Sequence, residues 1–509
     1  MYFFSLFFKK STLPFVVFIT GACVLIVEIL AIRILAPYFG NTIFAVSSVI
    51  SVVLAALSLG YYVGGKLSDT YPRETLFYGI IVVSGASIIF LHLVGALFLP
   101  TFGYSLSMVE GPMVSSLLLF FFQSFLLGML SPFAIKLQTM RQESIGVGSA
   151  SGVIFFWSTL GSIAGSLSAG FFLIPRLGIN TIMIGVGFLL MCLGLIFLFK
   201  ISIWYKILLV LLLTSFFFYL HRTISLSGPT IQNAVYSQDG LYQRIVIYDG
   251  LYSGQGARFL MQDRNPSAAG FLTSDDLVFE YTKYYAAYKI FNPNIQNALM
   301  IGGGAYSVPK ALLEDAPNVQ IDVAEIEPSL FDLARQYFSV PDDTRIHNVV
   351  EDGRRLLHDS PKKYDLIFSD AFSSVYSTPS HLTTREFFSL AKSKLSANGV
   401  FVANVIGSLS KTPPSLLLSE IKTFKRVFDN SYFFAVRSPH GTDLQNIIFI
   451  GYNGTEKIDV ASSRVRGNSN PIIAGLSQKE INIGQFDLSL FPLLTDDFSP
   501  VEYLTAKEL

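Results

Sequence analysis

The sequence predicts a multi-span α-helical membrane domain, then a small β-hairpin domain leading into an α/β domain with a doubly wound parallel sheet. Three observations carry this expectation. Long apolar runs fill residues 1–222, the charge balance changes sign after them, and strand-like and helix-like segments alternate behind a glycine triplet at 302–304.

Of the 509 residues, 51 % are hydrophobic, and a mean hydropathy of +0.51 is too high for an ordinary soluble chain. Residues 1–222 hold five acids (Glu28, Asp69, Glu74, Glu110, Glu143) and eleven Lys or Arg, whereas the rest hold 31 acids and 25 basic residues. The formal net charge of zero thus divides into a part near +6 and a part near −6, which argues for two domains and against nucleic acid as a partner of the second. Cys23 and Cys192 both sit in apolar runs and offer neither a disulfide framework nor a zinc site. The start, "MYFFSLFFKK", places its apolar stretch before its lysines, the reverse of a secretory signal, so no cleaved peptide is expected.

About 20 apolar residues cross a bilayer as a helix. Seven stretches approach that length, at 14–37, 42–65, 76–100, 113–135, 147–174, 179–199 and 204–220, the last being the shortest. With the N-terminus cytoplasmic, Lys9, Lys10, Lys66, Arg73, Lys136, Arg141, Lys200 and Lys206 collect inside and Arg176 stands almost alone outside, as the positive-inside rule requires. Seven spans then put the soluble part outside a multi-pass cell-membrane protein; six or eight put it inside. Gly60, Gly64, Gly161 and Gly165 suit close helix packing. Glu28 is a costly carboxylate within a span, with Arg33 five residues on; the two are read either as a structural ion pair or as functional. His92 is expected to satisfy a hydrogen bond between helices. The loop "GGKLSDTYPRE", Gly64 to Glu74, resembles that between the second and third helices of major facilitator transporters, which implies half of such an architecture but not transport.

From 232 to 272 the pattern is strand-like: "LYQRIVIYDG" ends in the turn signal Asp249–Gly250, and "ARFLMQD" follows as a partner strand. Next, "NALMIGG" is a buried strand, "SVPKALLEDA" a helix, "VQIDVAEIE" a strand and "PSLFDLARQYF" a helix with Pro328 near its first turn. "YDLIFSDAF" and "GVFVANVI" are strands on either side of the amphipathic helix "TTREFFSLAKSKL", which is expected to stop at Asn398–Gly399. The expected domains are 1–222, 223–282, 283–455 and a C-terminal extension, 456–509.

A doubly wound sheet binds its ligand at the carboxyl ends of its strands. Gly302, Gly303 and Gly304 close the first strand and let backbone approach a ligand; Glu325 ends the second strand at the offset where an acid meets ribose hydroxyls. The strict GxGxxG is not completed, because position 307 is serine. Asp352 and Asp370 add carboxylates at the next strand ends, so four features converge on one cleft. That cleft is read as a nucleoside site, against a retained and empty scaffold. His347, His358, His381 and His440 show no metal spacing and are read as surface or core residues, and no metal is expected.

Carried by "LYQRIVIYDG", "LMIGGG", "VAEIEPSLFDLARQYF", "VVEDGRRLL" and "YDLIFSDAF", the stretch 232–450 resembles spermidine synthase and the wider aminopropyltransferase family. With the apolar half and the closing "LTDDFSPVEYL", nearly the whole chain resembles fused membrane spermidine-synthase-like proteins. The resemblance implies a methyltransferase-like Rossmann fold and, as donor substrate, decarboxylated S-adenosylmethionine or S-adenosylmethionine, with no permanently bound cofactor. It implies that Glu325 meets the ribose, Asp352 the adenine, Gln243 closes the pocket and Asp370 is the catalytic carboxylate. An acceptor amine has a pKa near 10 and must lose its proton before it attacks, which suits a carboxylate at 370.

Three departures shape the expected acceptor. Soluble synthases read GGGDG where this chain has Ala305 after Gly304, and they carry a second aspartate where this chain has Ser373. The acid of the segment before the first Rossmann strand is displaced to Glu280. A buried polycation without carboxylates is unfavourable, so the acceptor is expected to be an amine or other small molecule that is not standard putrescine. Tyr242, Asp496 and Asp497 remain as acceptor-side candidates, the competing reading of the two aspartates being a helix cap or turn before Pro500; Asp275 and Asp276 are read as a loop end. Other expected partners are the lipid bilayer and, compatibly, further copies of the chain. The competing reading is a transport or sensing protein whose second half binds without turnover or serves as a scaffold.

Overall fold

The computed structural model describes residues 2–142, 146–198, 215–216, 219, 233–263, 265–371 and 379–508. It divides into two compact units, Met1–Thr230 and Ile231–Leu509. The domain boundary expected at 222 lies outside the described residues, as does nearly all of the seventh expected span and Ser373.

The first unit comprises α1 (Tyr2–Phe39), α2 (Ile43–Thr70), α3 (Glu74–Phe102), α4 (Gly111–Gly128), α5 (Leu130–Arg141), α6 (Val147–Ser168) and α7 (Ile179–Leu198). Among the described residues, six stretches are long and apolar enough to cross a membrane; α4 and α5 form one of them, Gly111–Arg141. Glycines let the helix backbones touch. A Cβ on Gly161 would stand 2.0 Å from the Phe18 carbonyl oxygen, and one on Gly165 2.3 Å from that of Ala22, so α6 lies directly on α1. Gly60 and Gly64 bring α2 equally close to Phe125 and Met129. The hydrogen bond expected of His92 joins α3 to α7, with Asn180 Oδ1 3.0 Å from Nε2. Asp69–Lys136 at 2.8 Å and Glu74–Arg141 at 2.6 Å tie the ends of α2 and α3 to the end of α5. Glu28 and Arg33 are both half-buried on α1.

The second unit opens with an antiparallel meander: β1 (Ala234–Asp239), β2 (Arg244–Tyr252), β3 (Gln255–Gln262) and β4 (Asn265–Phe271). Asp249–Gly250 is not the turn. β2 runs on to Tyr252, and the two-residue turn is Ser253–Gly254, with φ of 49° and 84°. Asp249 stays in the ladder because Arg258, directly across from it on β3, grips its carboxylate through two hydrogen bonds of 2.7 and 2.9 Å.

The seven-stranded sheet follows, with β5 (Asn297–Ile301), β6 (Gln320–Ala324), β7 (Ile346–Val349), β8 (Tyr364–Ser369), β9 (Leu395–Gly407), β10 (Asn430–Ala435) and β11 (Gln445–Tyr452) in the order β7-β6-β5-β8-β9-β11-β10. β7 to β9 are parallel, but β11 runs antiparallel to both its neighbours. The expected all-parallel sheet is therefore mixed. The link 436–444 between β10 and β11 is too short for a crossover and joins only antiparallel strands. This α/β fold is Rossmann-like and of the methyltransferase type.

Helices α8 (Ser307–Asp315), α9 (Leu330–Tyr337), α10 (Gly353–Asp359), α11 (Arg385–Lys394) and α12 (Leu416–Lys425) cover the sheet. Both faces are buried: Ala298 and Met300 of β5 enter one core, and Leu299 and Ile301 enter the other. α11 stops at Lys394, earlier than expected. Asn398–Gly399 instead lie in a bulge at the start of β9, where Leu395 pairs with Tyr364 and Val400 with Leu366. The extension 456–509 packs on this fold through Ile481, Leu494, Val501 and Leu504, and ends in α13 (Val501–Glu508).

Candidate active site

The turn after β5 is built around left-handed backbone. Gly302 and Gly304 have φ of 94° and 51°, and a Cβ on Gly302 would stand 2.5 Å from the Asp370 carbonyl oxygen, so the first position admits glycine alone. Tyr306 is also left-handed, at φ 57°. Its wholly buried ring packs 4.9 Å from that of Phe331, and its hydroxyl bonds to Asn348 Oδ1 at 2.5 Å, which holds an unfavourable backbone in place.

Glu325 folds under this turn. One carboxylate oxygen accepts from the Gly303 and Gly304 amides at 2.8 and 3.3 Å, and the other from the Glu327 amide at 2.9 Å. Burial pushes its pKa up, and the three amides pull it back. A carboxylate has about four lone-pair sites, so one remains for a ligand hydroxyl.

Glu327, 2 % exposed, is a residue that sequence reasoning missed. It accepts from the Tyr242 amide at 3.0 Å and the Ser329 hydroxyl at 3.1 Å, and so fastens the β1–β2 loop that carries Gln243 to the end of β6.

Asp352 caps α10, accepting from the Arg355 amide at 3.0 Å, while its other oxygen meets His381 Nε2 at 2.8 Å. The His381 hydrogen bond, above all, holds the carboxyl below its usual range. His381, expected on the surface or in the core, therefore belongs to the site wall.

Asp370 follows β8. Its amide donates to the Ile301 carbonyl at 2.9 Å, which seats it beside the glycine turn. Its carboxylate accepts from Asn404 Nδ2 at 2.9 Å, and the Tyr281 hydroxyl, which donates to the Ser267 carbonyl at 3.4 Å, stands beside it. Burial pushes its pKa up to about 6, against the Asn404 hydrogen bond and the neighbouring Tyr281 hydroxyl, which lower it.

These groups line one cavity of about 570 Å³, whose walls include Gln243, Gly302, Gly303, Gly304, Ala305, Glu325, Asp352, Asp370 and His381, with Glu280, Tyr281, Asn404, Arg437 and Asn446 completing them. The acceptor-side candidates fall elsewhere. Tyr242 is not among the lining residues, and its amide is spent on Glu327. Asp496 is clamped by Arg354 at 2.7 and 2.5 Å and by the Thr384 hydroxyl at 2.7 Å, so its chemistry is that of a brace; Asp497 is exposed beside it. Asp275 pairs with Lys310.

Residues 283–456 match the family model described as the spermine/spermidine synthase domain. A polyamine aminopropyltransferase of Vibrio vulnificus (strain CMCP6) is 34 % identical over 218 residues, covering 41 % of this chain and 69 % of that protein. One of Lachnospira eligens is 28 % identical over 176 residues, covering 34 % of this chain and 59 % of that protein. A crystal structure of a probable spermidine synthase from Corynebacterium glutamicum ATCC 13032 aligns at 24 % identity and a TM-score of 0.42, covering 48 % of this chain and 89 % of that one. With one third of positions shared across more than two thirds of the Vibrio protein, the chain belongs to the spermine/spermidine synthase family through its second unit.

Proposed function

We propose that the protein is a membrane-embedded transferase of the aminopropyltransferase type, using an adenosine sulfonium donor, decarboxylated S-adenosylmethionine or S-adenosylmethionine, and an acceptor other than standard putrescine. The observation that carries this reading is the gathering of Glu325, Asp352 and Asp370 around one glycine turn, with the Asp370 pKa raised to about 6. In this reading Glu325 receives a ribose hydroxyl, Asp352 the adenine edge, and Gln243 closes over the nucleoside. Asp370 takes the proton of the acceptor amine. The amine nitrogen then bonds to the carbon next to sulfur, the C–S bond breaks with its electrons moving to sulfur, and a neutral thioether leaves. Because the leaving group needs no proton, positioning and amine deprotonation are the protein's main work. On the lysine and arginine distribution, the N-terminus is cytoplasmic and the protein sits in the cell membrane, with the second unit outside if 204–220 crosses.

A specific observation favours a second reading, transport or sensing. Gln123, Ser115 and Ser116 of α4 are fully buried without a hydrogen-bond partner among the described residues, and unpaired polar groups within a span mark a pathway. The experiment is release of methylthioadenosine from decarboxylated S-adenosylmethionine by the full chain in lipid, supplied with amine acceptors. The transferase reading expects release that Asp370→Asn lowers by about 100-fold or more. Release unchanged by that substitution would contradict it and favour the second reading.

A further inference from the structure

The charged groups of the cavity wall are not equivalent. Each carboxylate is already engaged. Glu325 holds three amides, Asp352 holds His381 and an amide, Asp370 holds Asn404, Glu280 pairs with Lys283 at 2.6 Å, and Glu351 pairs with Arg355 at 3.0 Å. Arg437 is the one Lys or Arg among the described lining residues, and among the described residues its guanidinium has no hydrogen-bond or ion-pair partner. The segment 372–378, which follows Asp370 in the chain, brings no charged side chain.

The backbone of Arg437 is anchored at the cavity wall, and its side chain is exposed there. Gln445 Oε1, buried, accepts from the Arg437 and Ser438 amides at 3.1 and 3.0 Å, and Lys479 Nζ donates to the Val436 and Arg437 carbonyls at 3.0 and 2.7 Å. The residue before it, Val436, donates its amide to the Asn446 carbonyl at 3.0 Å. Asn446 Nδ2 donates to Asn404 at 2.9 Å, and Asn404 donates to Asp370 at 2.9 Å. A polar line therefore runs from Asp370 across β9 and β11 to Arg437, away from Glu325 and Asp352.

We propose that the acceptor is an amine carrying a carboxylate, its nitrogen at Asp370 and its carboxylate received by Arg437. This rests on the transferase reading and names its substrate class. A guanidinium on the cavity wall matches a carboxylate and repels the far ammonium of a diamine. The step balances as before. Asp370 accepts the amine proton and later returns it to water, nitrogen bonds to the propyl carbon of decarboxylated S-adenosylmethionine, the C–S bond breaks, and methylthioadenosine leaves beside an N-aminopropyl amino acid.

The test compares putrescine with γ-aminobutyrate, which has the same four-carbon span with one ammonium replaced by a carboxylate. Each is titrated into the full chain with and without saturating methylthioadenosine, for the wild type, Arg437→Ala, Arg437→Glu and Arg437→Lys. The expected result is γ-aminobutyrate bound about tenfold or more tightly than putrescine, that preference lost in Arg437→Ala, reversed in Arg437→Glu and largely kept in Arg437→Lys, with methylthioadenosine affinity the same in all four. Putrescine binding as tightly as γ-aminobutyrate, or a preference that survives Arg437→Ala, would overturn the proposal and leave the transferase reading standing. Absence of methylthioadenosine binding in the wild type would overturn both.

Discussion

Asn404 donates a 2.9 Å hydrogen bond to the Asp370 carboxylate and accepts one of the same length from Asn446. The pair sits where two opposed effects meet: burial raises the Asp370 pKa to about 6, and Asn404 favours its charged form. A base must be ionised, so the transfer rate is expected to fall below about pH 6. Asn404→Leu removes a donor to the charged form and should move that acidic limb upward by about one pH unit, read from kcat/KM against pH. A limb that stays in place would contradict the assignment of Asp370 as base. The stability sign is the opposite of the usual carboxylate's. The folded value is raised, so this group's contribution improves as pH falls through about 6 and is least favourable above it.

Glu327→Ala should destabilise the second unit by about 1–3 kcal/mol, because the Tyr242 amide and the Ser329 hydroxyl lose their charged acceptor. Loosening the loop that carries Gln243 should also raise the KM for the donor more than it lowers kcat. Thermal melts and initial rates check both. A KM unchanged at reduced stability would confine Glu327 to a structural role.

Gly161→Ala should lower the melting temperature of the full chain in detergent, since its Cβ would stand 2.0 Å from the Phe18 carbonyl oxygen on α1. Gly152→Ala, on the same helix with open space around its Cβ position, should stabilise by up to about 1 kcal/mol. Equal effects would contradict the close approach of α1 and α6.

Cys23 and Cys192 are buried, so Ser469→Cys, exposed on the second unit, gives a single reporter of sidedness. Seven crossings from a cytoplasmic N-terminus predict labelling by an impermeant maleimide in intact cells. Labelling only after permeabilisation would mean an even number of crossings and a nucleoside cavity on the cytoplasmic side.

The features legible in the sequence were those with strong local causes. Apolar length marked seven spans, six of which are long apolar helices among the described residues, and strand-end positions brought Gly302 to Gly304, Glu325, Asp352 and Asp370 to one cavity. The misreadings were cases where tertiary partners outvoted a local signal. Asp249–Gly250 reads as a turn until Arg258 across the ladder holds Asp249 in a strand, and Asn398–Gly399 ends a bulge, not a helix. Asp496 reads as a spare carboxylate until Arg354, 142 residues earlier, claims it. Glu327 and His381 carry no spacing signal, because each acquires its meaning from a residue on another element.

The central claim is that the second unit holds a nucleoside site, and binding of methylthioadenosine to the full chain by calorimetry tests it most directly. The account predicts binding at micromolar concentration, weakened about tenfold or more by Asp352→Ala and little changed by Asp370→Asn, which acts on the acceptor's proton. No binding by the wild type, or binding indifferent to Asp352→Ala, would contradict it.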